Sequence, residues 1–275
     1  MAAILFLTVD SIFNHVYWNE WRGGDKRIRF YVNAKDPLFK TPEGFLRLPP
    51  DLEFRETAWG HHSLVLAHQA LLTHALADFK EAEWFVLVSG DALPLRSTRE
   101  LFQRLKPGQS MFDEFNDDCL YKQWAVMNEA LQQCNMPNWW ADVAADRGKD
   151  EEGFFRVLSE SVCAGVSQFH ILCREHAQDI ANMPRCVPED FDKLLNIVGG
   201  TDVSFAADEV VTLGYLNYLG KGKDIVRTAN VMHAPGDPKN PAHARALRSP
   251  VLANHVFGRK YHVVFSFKKY AWMYK

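Results

Sequence analysis

Several kinds of chemistry lack their signatures in this chain. Neither G-x-G-x-x-G nor a G-x-x-x-x-G-K-[ST] loop occurs, so dinucleotide redox chemistry and ATP-driven chemistry have no direct support. No G-x-S-x-G elbow or cysteine signature sets a nucleophile beside a base. The five cysteines, Cys119, Cys134, Cys163, Cys173 and Cys186, make no C-x-x-C pair and no Cys/His metal spacing, and this scattered odd number reads as free thiols in a reducing compartment. Positive charge is also short: a net charge of −3 supplies no cationic field for a nucleic-acid partner. No apolar run is long enough to span a bilayer. The opening MAAILFLTVDSIF has no basic leader and meets Asp10 too early for a signal peptide. It reads as a buried first strand, and the protein as cytoplasmic, without membrane insertion.

What is present is a folding chain of 275 residues, 47% hydrophobic and 13% aromatic. Apolar, β-rich runs at Ala3–Val9, Ile28–Val32 and Trp84–Val88 alternate with helical patterns at Ser11–Arg22 and His62–Phe79. That alternation predicts an α/β domain with a largely parallel sheet. A proline-rich connection carries a short strand at Phe45–Leu48, and short helices are expected at Thr98–Leu105 and Lys122–Cys134. The stretch 135–161 has weak periodicity and reads as irregular. A strand at Gln168–Cys173 leads into a helix from Glu175, and a further strand is expected at Ile225–Val231. With no repeats and no low-complexity linker, one domain over 1–275 is the simplest organisation, with a nucleotide-binding half at 1–106 and a catalytic, acceptor-binding half at 107–275.

The run DVSFAADEVVTLGYLNYLG sets Asp208 and Glu209 at the head of an otherwise apolar segment. Val210, Leu213 and Leu216 recur at helical spacing, which predicts a mostly buried helix from about Asp208. The acids then have two readings: a helix start that complements the dipole, or a catalytic carboxylate held on a rigid element. The strand EWFVLVSGDALPL ends in a turn holding Ser89, Gly90 and Asp91, at the end of the strand where ligands bind in open α/β sheets. Asp91 suits a ribose or sugar hydroxyl or a metal, and equally a backbone bond that closes the turn. Metal-dependent use of a nucleotide sugar calls for two carboxylates at such a strand end, and this turn has one. The only literal D-x-D, Asp190-Phe191-Asp192, follows no buried strand and reads as a helix start in a loop. His61 and His68 are seven apart, not the four of a zinc helix, and read as polar groups on a helix face.

Several segments, in order and nearly end to end, resemble glycosyltransferase family 14: the core-2/I-branching β-1,6-N-acetylglucosaminyltransferases and peptide O-xylosyltransferases. ILFLTVDSIFNHVYWNEW followed by IRFYVNAKD is similar to the family's first strand, helix and second strand. TAWGHHSLVLAHQALLTHAL resembles its Trp-Gly-x-x-Ser helix start, and WFVLVSGDALPLRS its strand ending in Ser/Cys-Gly. SQFHILCREHAQDI looks like its Ser-x-Trp/Tyr-Phe-x-x-x-x-Arg segment, AADEVVTLGYL like its Pro-Asp-Glu helix start, and VFGRKYH like its Phe-Ala-Arg/Asn-Lys-Phe close.

The resemblance implies a GT-A type fold and inverting transfer from a UDP-sugar to a hydroxyl of a glycan or glycoprotein acceptor. It implies a catalytic pair Asp208 and Glu209, with Glu209 as the general base, and a diphosphate-binding lysine at Lys260. It further implies that basic side chains replace a metal, so that no cofactor is expected. The family's second basic residue has no clear counterpart, and Arg245, Arg248 and Arg259 are the candidates. Thr8, Val9, Asn33, Lys35 and Trp59 fall where the family holds its nucleotide, and Asp91, from the strand-end turn, is the further nucleotide-binding candidate. Asp113, Glu114, Trp139, Trp140, Ser167 and Gln168 are the candidates for the acceptor side. Ala207 stands where the family has proline before the acids. Animal and plant relatives carry an N-terminal membrane anchor, whereas this sequence starts at the first strand, as either a trimmed sequence or a soluble cytoplasmic member from a bacterium or large virus would, and Met1 favours the second. Bulky Phe, Trp and Tyr neighbours favour UDP-xylose over UDP-N-acetylglucosamine as donor. The alternative is a sugar- or nucleotide-binding protein of the same fold without turnover.

Overall fold

The computed structural model describes residues 1–114, 166–185, 187–189, 206–228, 231–233 and 256–258. The first strand, β1 (Ala2–Thr8), is buried without alternation from Ala2 to Phe6, as expected of a central parallel strand covered on both faces. It pairs in parallel with β2 (Ile28–Ala34) on one side and β4 (Trp84–Ser89) on the other, Ala2 lying opposite both Ile28 and Trp84. Outside β2 lies β3 (Phe45–Arg47), also parallel. Beyond β4 come β7 (Val166–Cys173) and β6 (Ser110–Glu114), each antiparallel to the strand before it, and then β8 (Ile225–Thr228), parallel to β6. The sheet order is β3-β2-β1-β4-β7-β6-β8. Strand order therefore reverses between β1 and β4, and the crevice at their carboxyl ends is where an open α/β sheet takes its ligand. A small second sheet joins β5 (Leu93–Pro94), β10 (Phe257–Gly258) and β9 (Met232–His233).

Helices α1 (His15–Arg22) and α3 (Thr98–Arg104) cover one face of the large sheet. Trp18 is wholly buried there, edge-on to Phe6 at 5.0 Å and to Trp21 at 5.4 Å. Its Nε1 donates to the Ala92 carbonyl at 2.9 Å, so the ring is buried without an orphaned donor. The opposite face is covered by α2 (His62–Asp78), α4 (Arg174–Ala181) and α5 (Ala207–Tyr218). Helix α2 lies against the sheet, α4 and α5, which explains why it is apolar nearly all round. Its buried Gln69 donates to the carbonyls of Ile180 and Met183, both at 2.9 Å, satisfying groups that the end of α4 would leave bare.

The expected elements within the described residues are present, with informative differences. The Ser11–Arg22 helix begins only at His15. Thr8 Oγ1 donates to the Ser11 carbonyl and Phe13 N–H to the Gly90 carbonyl, which bends residues 9–14 across the strand ends before a helix can start. Strand β6 was not expected. Its sequence SMFDE is short and closes on two acids, which hides a strand whose Ser110, Phe112 and Asp113 are buried. The expected strand Ile225–Val231 is present over Ile225–Thr228, and positions 229 and 230 lie outside the described residues. His68 is not a polar helix-face group: it is 2% exposed, on the side of α2 that faces β7. The expected helix Lys122–Cys134 and the irregular stretch 135–161 lie outside the described residues.

Candidate active site

A pocket of about 520 Å³ opens at the carboxyl ends of β1, β2 and β4. Its wall takes Leu7, Thr8, Val9 and Asp10 from the end of β1 and beyond it, Asn33 from β2 and Lys35 just after it, Ser89 from the last position of β4, and Gly90 and Asp91 from the turn that follows. The two turns touch. Gly90 N–H donates to the Leu7 carbonyl at 3.1 Å, and a Cβ at Gly90 would lie 2.3 Å from Thr8 Oγ1 and 2.4 Å from the Ser11 carbonyl. Only glycine lets the β4 turn come so near to β1. Ser89 Oγ donates to Asp91 Oδ1, which fixes the carboxylate at the mouth of that turn.

A strap between β3 and α2 closes the far side with Thr57, Ala58 and Trp59. Asn33, 2% exposed, donates from Nδ2 to the Phe54 carbonyl and accepts the Phe54 N–H at Oδ1, both at 2.8 Å. Lys35 Nζ donates to the Thr57 carbonyl at 2.6 Å, which uses one of its three donors. Trp59 stands out from the strap at 82% exposure, and Val9 and Phe13 on the opposite lip are also exposed. Gln168 from β7 and Leu64 from α2 also line the wall.

All six residues expected at the nucleotide, Thr8, Val9, Asn33, Lys35, Trp59 and Asp91, line this one pocket. Of the acceptor-side candidates among the described residues, only Gln168 does. Ser167 is buried, and its Oγ accepts the Phe169 N–H at 3.2 Å. Asp113 is 5% exposed, and its Oδ1 accepts the Val231 N–H at 3.2 Å. Glu114 ends β6. Trp139, Trp140, Arg245, Arg248, Arg259, Lys260 and the Asp190–Asp192 pair lie outside the described residues, and so does the side chain of Glu114. Asp10 is the notable omission from the sequence reading. It adds a second carboxylate, from the neighbouring strand end, to the one expected from the β4 turn. The strand-end rule that singled out Asp91 applies equally to Asp10, two residues after Thr8.

Helix α5 starts against the pocket wall. Its N-cap is Ala206, whose side chain caps nothing, and the Ala207 N–H instead reaches the Gly60 carbonyl at 2.8 Å, next to Trp59. Asp208 and Glu209 therefore sit in the first turn, Asp208 buried and Glu209 half-buried, with Val210, Leu213 and Leu216 in the core. The expected buried face is present, and the positive end of the helix dipole falls at both acids.

Behind the pocket, one turn along α2 from Leu64 and two residues along β7 from Gln168, His68 and His170 pack with ring centres 4.9 Å apart. Phe112 stacks on His170 at 4.8 Å. Burial holds His68 well below the usual imidazole range, with His170 adding to the effect, and burial pushes His170 down to about 3. Both rings are neutral in the folded protein at ordinary pH.

The core-2/I-branching enzyme family model matches residues 51–189. The chain belongs to this family. The match runs from just before the strap through α2, β4 and β7 to beyond the end of α4, and it makes the protein a glycosyltransferase. No curated protein matches it in sequence. Among solved structures it is similar to the galactosyltransferase LgtC in complex with donor and acceptor sugar analogs, with 12% identity over 94% of this chain and 86% of that one and a TM-score of 0.42. It is also similar to the apo form of mouse xyloside xylosyltransferase 1, with 10% identity over 94% and 97% of the two chains and a TM-score of 0.40. No described helix is long and apolar enough to cross a membrane.

Proposed function

We propose that this core-2/I-branching glycosyltransferase transfers a sugar from a UDP-sugar to a hydroxyl of a glycan or glycoprotein acceptor with inversion, with Glu209 as general base. The observation that carries the reading is the convergence of Thr8, Val9, Asn33, Lys35, Trp59 and Asp91, from four separate segments, on one pocket at the strand-order reversal. Asp91 and the turn around it suit ribose hydroxyls, Trp59 suits a planar base, and the spare donors of Lys35 suit a phosphate.

Inverting transfer is a single in-line displacement. A base takes the acceptor proton while positive charge meets the leaving diphosphate. Among its described residues the pocket sets Asp10 and Asp91 against Lys35 alone, so the charge needed at the diphosphate must come from elsewhere. We assign it to Lys260, with Arg259 or one of Arg245 and Arg248 beside it, rather than to a metal. In support, Gly258, directly before Arg259 and Lys260, pairs with Leu93, two residues past Asp91. The two carboxylates also suit a divalent ion, which makes the chelator test decisive: full activity is expected in EDTA, and activity abolished by EDTA and restored by a divalent ion makes Asp10 and Asp91 its ligands. We favour UDP-xylose over UDP-N-acetylglucosamine because the bulky side chains of Phe13, Trp59 and Leu64 line the wall. Thermal shifts with a panel of UDP-sugars, followed by UDP release with and without acceptors, test the whole reading. Equal shifts for all donors remove the xylose preference. Binding without release in any combination leaves the non-catalytic alternative in its place.

A further inference from the structure

We infer that Asn33 and Gly60 are positioning residues for the transfer reaction, acting through the strap Glu53–Gly60, which joins the nucleotide pocket to the first turn of the helix that carries Glu209. The inference rests on the pocket and base assignments proposed above, but its physical basis is separate from them.

The strap is anchored at successive points to different elements. At its start the buried carboxylate of Glu53 lies between Arg47 at 2.6 Å and Arg55 at 2.7 Å. The next residue, Phe54, is held on both backbone polar groups by the side chain of Asn33, as a paired strand would hold it. Thr57 is tied to β2 by Lys35, and the Ala58 N–H donates to Ser63 Oγ of α2 at 3.0 Å. The strap then ends on Gly60, whose carbonyl accepts the Ala207 N–H at 2.8 Å.

That last bond replaces a cap. A helix start leaves its first N–H groups without partners, and Ala206 has no side-chain oxygen to offer. The acceptor comes from a residue remote in sequence, and its direction depends on a left-handed backbone at Gly60, with φ of +71°. Space is not the constraint there: an added Cβ would meet Ala206 Cβ at an ordinary 3.6 Å. The conformation is, because residues with a side chain adopt it rarely, asparagine least so. Whatever moves the strap at Phe54 to Trp59 therefore moves the acceptor that sets the start of α5. Asn33 fixes one end of this connection and Gly60 the other, and neither needs to touch the reacting atoms.

The test uses the full chain with Asn33→Ala, Gly60→Ala and Gly60→Asn. Hydrogen exchange is read on the peptide covering the start of α5, without ligand. UDP affinity is read by calorimetry, and kcat and KM by UDP release from UDP-xylose and UDP-N-acetylglucosamine. Asn33→Ala removes both hydrogen bonds to Phe54 and is expected to speed exchange at the α5 start and raise KM, each about tenfold or more, the scale set by losing buried hydrogen bonds. Gly60→Ala is expected to speed the same exchange and lower kcat about tenfold with KM little changed, and Gly60→Asn to recover most of both, since it tolerates the left-handed backbone. A purely structural role predicts loss of thermal stability without this split of KM from kcat and without rescue. Exchange at the α5 start unchanged in both Asn33→Ala and Gly60→Ala overturns the inference. If Asn33→Ala does not fold, the Gly60 pair alone decides. Faster exchange in a protein whose wild type binds no UDP supports the connection and overturns the nucleotide reading instead.

Discussion

On the face covered by α1 and α3 the central sheet meets a cluster of rings that includes Phe6, Trp18, Trp21, Phe30 and Phe45, whereas on the face covered by α2, α4 and α5 it meets mainly aliphatic side chains, with Tyr31, Phe79, Phe85 and Phe112, mixed with buried polar ones. The rings of the first face meet mostly edge to face, and the indole N–H groups of Trp18 and Trp21 donate to the carbonyls of Ala92 and Arg96. The second face buries His68, Gln69, His170 and His176. Ser110 Oγ there bonds His176 Nδ1 at 2.7 Å and accepts the Cys173 N–H at 2.9 Å. The difference separates holding from doing: the aromatic face is packed ring on ring, while Leu64, Gln168 and the start of α5 approach the pocket from the polar face. Substitutions on the two faces should therefore move different observables.

The largest effect on folding is expected from the aromatic face. Trp18→Ala removes a fully buried ring, its edge contacts and the partner of the Ala92 carbonyl, and should cost about 3–5 kcal/mol. For a chain of this size that lowers Tm by about 10 °C, measured by calorimetry. The variant that remains folded should still turn over. A loss of turnover without a loss of Tm would show that α1 contributes to the site.

Glu209→Gln should give the opposite pattern. The side chain is half-buried at the first turn of α5, and its neutral isostere keeps the shape while removing the base. Turnover with acceptor should fall about 10²-fold or more, with Tm and UDP affinity nearly unchanged. Transfer that survives intact in this variant ends the base assignment.

Acid should weaken the polar face earlier than the aromatic one. His68, His170 and His176 are all held below the ordinary imidazole value of 6.5, burial being the first cause in each. The unfolded chain binds the extra protons once pH falls below about 6.5, while the fold resists protonation of His170 until about 3. Stability is thus complete above that range and declines as pH falls through it, by up to about 1.4 kcal/mol per pH unit for each imidazole kept neutral. Asp25, Glu53 and Asp78, held low by hydrogen bonds and charge from arginines and, for Asp78, first by Tyr31, add a loss of the same sign at lower pH. Urea midpoints at pH 7, 6, 5 and 4 check this. His170→Leu should flatten the upper part of the curve, and an unchanged slope between pH 6 and 5 would exclude it as the source.

What the sequence made legible follows the same division. Continuous apolar runs bounded by turns mark β1, β2 and β4, because a strand covered on both faces needs no alternation to be read. The spacing of Val210, Leu213 and Leu216 likewise locates α5 to within a residue. The pocket was reached differently: Asp91 follows from the strand-end rule, whereas Asn33 and Trp59 were reached through the family resemblance. Asp10 was passed over, although the same rule covers it. Burial of His68 could not be read, since a helix apolar on all sides gives its histidines no preferred direction. Nor could the attachment of Asn33 to Phe54, because that bond joins positions 21 apart with no pattern between them.

The smallest effect is expected at the lip of the pocket, where the comparison is most specific. Trp59 has the largest side chain on the pocket wall and is 82% exposed, so Trp59→Ala should leave Tm within the range of a surface substitution, about 0.5 kcal/mol. An exposed indole next to a positioned strap has its use when a flat ring stacks on it, a contact worth about 0.5–1.5 kcal/mol. UDP affinity should therefore fall only about 2- to 10-fold, and uridine affinity by the same factor, since the contact is with the base and not the diphosphate. Equal loss for UDP and uridine keeps Trp59 at the base. A loss confined to the full UDP-sugar would move it to the donor sugar, and the crowding that favours xylose would then have a single residue behind it.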